Sequence, residues 1–444
     1  MPDDTIAALA TAAGRAAVAV VRVSGPQALQ IGQRLLPRAP RPRHAELASL
    51  RSSEGELIDR ALVLYFPAPH SYTGEDVIEF HVHGGAAVSD WLLECLHGLG
   101  ARPAQAGEFT LRAFLNDKLD LTQAEAVADL IESRSRLAAQ AALRSLRGRF
   151  SAAVRSLQEQ LTELRVLVEA WLDFPDEDLD VAAQSDLVER LKTARGELAL
   201  LRTAASEGAA LADGLSIAIA GPPNAGKSSL LNALAGYDAA IVTDIPGTTR
   251  DPLHEQLVLD GLPINIVDTA GLRVSDDPIE REGVRRAQDA VGKADHVLWV
   301  ADIRDGEAVA LDAARQTLAD SVPFTLLLNK VDLLERGAAE HESHEIIELS
   351  ALHGTGINLL ITRLKVLAGL SGESTGTFSA RRRQLQALDR VAAALDAAEA
   401  AFVGGLELAA EELRGAQAAL GELTGEFSSD DLLGEIFSRF CIGK

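Results

Sequence analysis

Residues 221–229, GPPNAGKSS, follow the apolar run LSIAIA and lead into a second apolar run, LLNALAG. This is the pattern G-x-x-x-x-G-K-[ST] in a strand, loop and helix setting. Its glycines let the backbone wrap a phosphate, so that the amides of Asn224, Ala225, Gly226, Lys227, Ser228 and Ser229 can point inward. Lys227 then reaches the terminal phosphates, and Ser228 offers its hydroxyl to Mg²⁺. Three more segments follow in the order that nucleotide chemistry needs. VDTAG at 267–271 comes after PINI and supplies Asp268, Thr269, Ala270 and the Gly271 amide for the metal and a γ-phosphate. LLLNKVD at 326–332 supplies Asn329, Lys330 and Asp332. A carboxylate at 332 accepts two hydrogen bonds from the N1–H and exocyclic amine of guanine, a donor pair that adenine lacks, so discrimination can reach roughly 10⁴ to 10⁵. ELSALHGTG at 348–356 supplies the turn Ser350-Ala351, whose backbone can meet guanine O6. These residues predict a GTP site.

Cleavage of GTP needs an oriented water and a positive charge at the transition state. The position after D-T-A-G, where some GTPases carry a water-orienting glutamine, is Leu272, which cannot hold water. Glu280, in DDPIEREG, is the candidate to orient it; a solvated glutamate at a helix start is the competing reading. Between the two phosphate segments lies IVTDIPGTTRD, 241–251, a loop suited to closing over nucleotide through Thr243, Asp244, Ile245, Pro246, Gly247, Thr248 and Thr249. Thr249 is set to bind Mg²⁺ and the γ-phosphate. Asn224, facing the carbonyls of Thr243 and Ile245 and the region of Thr248, could form an oxygen cage for a monovalent cation doing an arginine finger's work. Arg250 and Arg273 are rival sources of that charge, with local salt bridging as their other reading.

These residues must be held by several domains, because 444 residues exceed one compact core. With 65 acidic against 42 basic residues the net charge is -23, which opposes unassisted binding to a phosphate backbone. Two cysteines make no disulfide framework, and without a signal pattern or a long apolar run the chain reads as an intracellular protein, off the membrane. The first ~118 residues alternate like strands around one helical stretch, which predicts a small α+β domain. In it His81 and His83 share a strand face without a third ligand, and Cys95 reads as core. Phe150, Val154, Leu157, Leu161, Leu164, Val168 and Trp171 form the stripe of a long helix, which DFPDEDLD ends at Pro175. Leu187, Leu191, Ala194, Leu198 and Leu201 form a second stripe. After a Gly/Ser/Thr-rich linker, helical sequence returns from Ala380. The expected architecture is multidomain: an α+β N-terminal domain (1–118), an α-helical bundle built from two chain segments (119–209 and 371–444), and an inserted α/β P-loop GTPase domain (210–370). Within the helices, RSRLAAQAALRSLRGRF carries five arginines and no acid, a candidate for meeting RNA or an acidic partner if it is not simply a solvated face.

The chain ends RFCIGK. Gly443 and Lys444 spoil a prenylation box. Leu433, Ile436, Phe437 and Phe440 make an amphipathic stripe that should dock the last helix and fix Cys441, whose alternative is buried inertness. Taken with the asparagine-bearing phosphate loop, TDIPGTTRD, the leucine after D-T-A-G, PHSYTGED at 69–76, HGG at 83–85 and GEFTLRAFLNDKLDLTQAEAVADLI at 107–131, this tail resembles the MnmE (TrmE) tRNA-modification GTPase family across essentially the whole chain. One departure is Pro222, where many members are basic.

The resemblance implies K⁺ on Asn224, Thr243, Ile245 and Thr248, Mg²⁺ on Ser228 and Thr249, and water orientation by Glu280. It further implies a 5-formyl- or methylene-tetrahydrofolate held by Arg22, Glu79, Lys118 and Lys444, with Cys441 nearby. Cations would meet the folate's carboxylates, and a carboxylate its pterin N–H groups. Homodimers would form through the N-terminal domain, and a heterotetramer with an FAD-dependent MnmG-type partner that holds most of the tRNA. The implied product is a 5-(carboxymethyl)aminomethyl group on the wobble uridine, made in the cytoplasm. The competing expectation is a regulatory switch GTPase, for instance in ribosome assembly, which would need neither the tail nor the folate-type residues.

Overall fold

The computed structural model describes residues 4–173, 181–237, 254–268, 294–319, 322–334, 345–370, 378–426, 430–438 and 440–443. Period-two alternation near the N-terminus yields strands β1 (Ile6–Leu9), β2 (Ala16–Ser24), β3 (Glu46–Arg51), β4 (Leu57–Phe66), β5 (Val77–Gly84) and a short β6 (Arg102–Pro103). Helices α1 (Ala28–Arg34), α2 (Ala86–Gly98), α3 (Glu108–Leu115) and α4 (Leu121–Glu132) complete this part. The strands form one sheet, ordered β3-β4-β5-β2-β1-β6. Its neighbours are antiparallel except β1 with β6. Alternation sends Val21, Val23, Ile78, Phe80 and Val82 to the face covered by Ile31, Leu92 and Leu96 of α1 and α2. Arg22, Glu79 and His81 alternate with them on β2 and β5 and so take the opposite face. At β1 that face is closed by Phe109 of α3, which packs with Ile6, Ala8 and Ala104.

Helical sequence follows as α5 (Arg136–Leu146), α6 (Arg149–Asp173) and α7 (Val181–Asp213). The expected stripe of α6 is buried from Phe150 through Val168, while Trp171 is only half-buried near the helix end at Asp173. Leu187, Leu191, Ala194, Leu198 and Leu201 of α7 are buried as a second stripe. Each of the Leu, Val and Phe side chains among them contributes roughly 1.5–3 kcal/mol by leaving water.

The central segment contributes β7 (Leu215–Ala220), α8 (Lys227–Tyr237), β8 (His254–Leu259), β9 (Leu262–Asp268), β10 (His296–Asp302), α9 (Glu307–Thr317), β11 (Phe324–Asn329), β12 (Ile346–Leu349) and α10 (Ile357–Leu367). Here the sheet order is β12-β11-β10-β7-β9-β8, parallel except for the β8/β9 hairpin. All seven residues of β10 are buried, as expected of a strand covered on both faces. β7 lies between β9 and β10, so the loop that leaves it opens at a topological switch point. The C-terminal part forms α11 (Arg382–Gly404), α12 (Leu406–Thr424) and α13 (Asp430–Ser438).

By packing the chain divides into two units, Met1–Ala128 with Leu146–Ala194 and Arg390–Lys444, and Asp129–Ser145 with Arg195–Asp389. In the first, α6 packs along α12, so helices from before and after the central sheet build one bundle. Polar ties accompany that contact: Gln158 Nε2 donates to Glu426 Oε2 at 2.8 Å, and Gln417 Nε2 to Thr162 Oγ1 at 2.7 Å. In the second unit, Ala138 and Ala141 of α5 join the core beneath β7, β8 and β9. No described helix is long and apolar enough to cross a membrane.

Candidate functional site

In the second unit the phosphate-loop pattern occupies the turn between β7 and α8, and α8 begins at Lys227 itself. A helix of 11 residues thus aims its free amides and positive dipole end at the loop. Lys227 Nζ donates to the carbonyls of Gly221 and Pro222 at 2.8 and 2.9 Å, which folds its amine over the loop. Asn224 has the left-handed φ of +61°, and Gly226 stands at +100°. A Cβ on Gly226 would come 2.2 Å from Asn329 Nδ2, so the loop needs glycine there for space as well as backbone freedom.

Asn329 ties the loop to the segments expected to read the base. Its Nδ2 donates to the Ala225 carbonyl at 2.9 Å, and its Oδ1 accepts the Ala351 N–H at 3.0 Å. Lys330 Nζ donates to the Asn224 carbonyl at 2.7 Å. Ser350 Oγ donates to Asp332 Oδ1, holding the carboxylate that faces guanine in the sequence-based reading. Asn224, Ala225, Asn329, Lys330, Asp332, Ser350 and Ala351 are therefore joined in one web, with Lys227, Ser228 and Ser229 opening the adjoining helix.

Asp302 is a member of this web that motif reading did not single out. It is the register partner of Asn329 at the end of β10, and accepts from Lys330 Nζ at 2.8 Å. Hydrogen bonds from Arg304, and then from Lys330, hold its carboxyl far below the usual range against the cost of burial. The signal was an Asp closing the apolar strand HVLWVAD, the same placement that Asn329 has next door. Thr243, Asp244, Ile245, Pro246, Gly247, Thr248, Thr249, Thr269, Ala270, Gly271 and Glu280 lie outside the described residues, as do Arg250, Leu272 and Arg273. Asp268 ends β9, its side chain outside that description.

In the first unit, register pairs Arg22 with Glu79, and Arg22 Nε donates to Glu79 Oε1 at 2.9 Å. The guanidinium carbon also lies 5.4 Å from the Tyr72 ring centroid and 5.5 Å from that of Phe109, within cation–π range. Among the described residues Nε is the only Arg22 side-chain nitrogen that is hydrogen-bonded. Its terminal amino groups are thus the donors available to an anionic ligand. His81 Nε2 approaches the other Glu79 oxygen at 3.4 Å, while His83 is turned to Asp59, with Nδ1 2.8 Å from its Oδ1. Lys118 lies along Gly74, in the loop that carries Tyr72.

That loop is fixed from α3. Tyr72 Oη and Thr110 Oγ1 are 2.8 Å apart, and Asn116 Nδ2 donates to the Thr73 carbonyl at 2.7 Å. Beneath them Arg112, 1% exposed, donates to the Asp4 carbonyl and carboxylate, to Glu75 and to Glu108. Burial pushes the Glu108 carboxyl up, but hydrogen bonds from Arg102, the Gln105 N–H and Arg112 outweigh it and leave the group below the usual range. Burial also raises the Tyr72 phenol. Tyr72 and Phe109 lie inside the runs PHSYTGED and GEFTLRAF, whose spacing alone assigns neither ring a role.

The chain's end reaches this same sheet. Ile436, Phe437 and Phe440 bury against Leu121, Ala124 and Ala128 of α4. Ile442 then bridges antiparallel to Ala106. Gly443 has φ +97°, and a Cβ there would stand 2.0 Å from the Leu9 carbonyl oxygen, so only glycine passes the end of β1 this closely. Leu9 follows Ala8, the register partner of Arg22. Cys441 is a free, exposed thiol, which rules out buried inertness. Lys444 lies outside the described residues.

Two family models match the chain: the MnmE helical domain over residues 121–441 and the GTP-binding protein TrmE N-terminus over 5–118. The tRNA modification GTPase MnmE of Nitrosococcus oceani is 54% identical over 446 residues, covering 100% of this chain and 97% of its own. That of Alkalilimnicola ehrlichii is 52% identical over 448 residues, covering 100% of both chains. That of Laribacter hongkongensis is 51% identical, with 99% of each chain covered. With both family models matched and identity above one half along its whole length, this chain belongs to the MnmE family of tRNA modification GTPases.

Proposed function

We propose that this GTPase is stimulated by potassium and acts in the cytoplasm with an FAD-dependent MnmG-type partner to install the 5-(carboxymethyl)aminomethyl group on the wobble uridine of certain tRNAs. The docking of residues 440–443 against Ala106 and the end of β1, the strand paired with the one that bears Arg22, carries this reading, since a switch that only binds and releases GTP has no use for a terminus attached there. The N-terminal face fits a reduced folate. Arg22 keeps donors for a carboxylate, Glu79 offers an acceptor for pterin N–H groups, the rings of Tyr72 and Phe109 suit a flat heterocycle, and Lys118 adds charge at the rim. Bound there, a tetrahydrofolate would supply a one-carbon unit, with the redox chemistry coming from the partner's FAD and NADH. Lys444 completes the folate set, and the exposed Cys441 is a candidate for direct participation.

In the nucleotide site Lys227 and the amides of 224–229 bind the phosphates, while Asp332 with the Ser350-Ala351 turn selects guanine. Ser228 and Thr249 hold Mg²⁺, and Asn224, Thr243, Ile245 and Thr248 hold K⁺. Both cations offset the charge that grows on the leaving phosphates. Glu280 orients the water in place of the glutamine that Leu272 replaces. A homodimer formed through the N-terminal unit and a heterotetramer with the flavoprotein are the working assemblies.

Nucleoside analysis of tRNA from cells lacking the protein tests the assignment: loss of the wobble modification is expected, and unchanged wobble uridines would overturn it. Turnover in KCl against NaCl tests the cation separately. Equal rates in the two salts would remove potassium and leave the product assignment standing.

A further inference from the structure

Between Glu132 and Glu159 this acidic chain carries six arginines and no carboxylate. The first two, Arg134 and Arg136, flank Ser135, whose hydroxyl accepts the Ala138 N–H at 3.1 Å and so caps the start of α5. One face of that helix is buried through Ala138, Ala141, Ala142 and Ser145, and Ala138 and Ala141 belong to the core of the central sheet. Arg136 therefore projects from a helix that is rigidly mounted.

A second basic segment is tied to the same helices. Ser145 Oγ donates to the Ser379 carbonyl at 3.0 Å, and the Arg381 guanidinium donates twice to Asp129 Oδ1, at 2.9 and 2.7 Å. These two ties bring Arg382, the next residue, close to Asp129 and to the C-terminal end of α5. Arg134, Arg136 and Arg382 are all exposed. None of the three has a carboxylate within ion-pairing distance among the described residues. Arginines on other exposed helix faces of this chain do have one, as in the pairs Arg190–Asp186, Arg390–Glu422 and Arg414–Glu411.

We infer that this arginine surface docks the phosphate backbone of the tRNA. Three guanidinium groups without a carboxylate partner among the described residues, on a fixed scaffold, suit bidentate contacts to phosphate oxygens, and little side-chain order has to be created elsewhere to use them. The long-range charge of -23 opposes RNA, so a chain that engages tRNA needs one local surface of opposite sign. The inference rests on the family's tRNA chemistry and is independent of the folate and potassium readings.

The test is tRNA affinity of the full-length protein, followed by fluorescence anisotropy with an in vitro transcribed tRNA across a KCl series. The triple variant Arg134→Gln/Arg136→Gln/Arg382→Gln should bind at least tenfold more weakly. Its slope of log K against log salt should be shallower by roughly 2–3, as expected for about three lost phosphate contacts. The matching triple lysine variant should restore most of the slope, and GTP turnover should stay within twofold in both. Unchanged affinity and slope would overturn the inference, as would a wild-type protein without measurable tRNA affinity. Loss of flavoprotein association with tRNA binding intact would also overturn it, and would reassign the surface to an acidic protein.

Discussion

Replacing Arg112 by Met would test whether a buried charge network holds the Arg22-bearing face of the N-terminal sheet in shape. Methionine fills much of the space of the arginine stem but leaves Glu108 and Glu75, 9% and 15% exposed, and Asp4, 43% exposed, without its guanidinium. Breaking a buried pair by deleting one partner costs roughly 3–5 kcal/mol. Asp4 and Glu108 retain Arg102, and Asp4 is well solvated, so the lower end applies, about 3 kcal/mol. For a unit of this size that is a fall of roughly 6–12 °C in Tm, measurable by scanning calorimetry of the whole protein. The deficit should depend on pH. Hydrogen bonds from Arg102, and then Arg112, hold the Asp4 carboxyl below the usual range, and Glu108 is likewise low. Groups with lowered folded pKa values stabilise the fold above the ordinary carboxylate pKa of about 4 and lose that contribution as pH falls through the lowered values. The gap between wild type and Arg112→Met should therefore narrow in acid, and Arg112→Lys should fall between them. A loss under about 1 kcal/mol at neutral pH, or a gap indifferent to acid, would refute the argument.

Three further outcomes follow from the second unit. Asn329→Ala strands the buried Ala225 carbonyl and Ala351 amide, at roughly 1–3 kcal/mol for each unsatisfied group; GTP affinity by fluorescent-nucleotide titration should fall at least about 30-fold. Asp332→Asn exchanges an acceptor for a donor at the base, so GTP binding should drop by roughly 10² or more while xanthosine triphosphate gains; equal losses for both nucleotides would show that Asp332 does not read the base. Burial, and then the Arg363 charge, lower His296 to about 4, and its Nε2 lies 2.8 Å from Thr325 Oγ1. The unfolded chain binds this proton near pH 6.5 and the folded one does not, so stability should decline by up to about 1.4 kcal/mol per pH unit from 6.5 toward 4. In His296→Gln that slope should be shallower by chemical denaturation.

The nucleotide site was legible because its residues sit in contiguous runs at strand ends, where the spacing that marks a motif is also the spacing that builds the loop. Gly226, Asn329 and Ser350 could each be named from a few neighbours. Asp302 could not, because its role comes from lying beside Asn329 in register, on a strand whose own sequence looks like ordinary buried apolar run. The helical stripes were equally plain, since Phe150 to Val168 repeat within one helix. Trp171, two residues before Asp173, the last described residue of that helix, departs from the stripe by being only partly buried.

The N-terminal face is the harder case. Arg22 and Glu79 are 57 positions apart, and Arg112 reaches Asp4 across 108. No local periodicity reports such pairs, so the resemblance to a family had to name the first pair, and the buried role of Arg112 went unnoticed. Yet the pairing is a consequence of residues that were legible. Val21, Val23, Ile78 and Phe80 must face α1 and α2, and that requirement sets the β2–β5 register. A slip by one residue would turn Arg22 and Glu79 into the apolar core and Val21 into solvent. The ordinary hydrophobic residues of these strands thus determine whether the Arg22–Glu79 ion pair exists at all. Substituting a core valine by a larger side chain should disturb Arg22 and Glu79 before it unfolds the sheet.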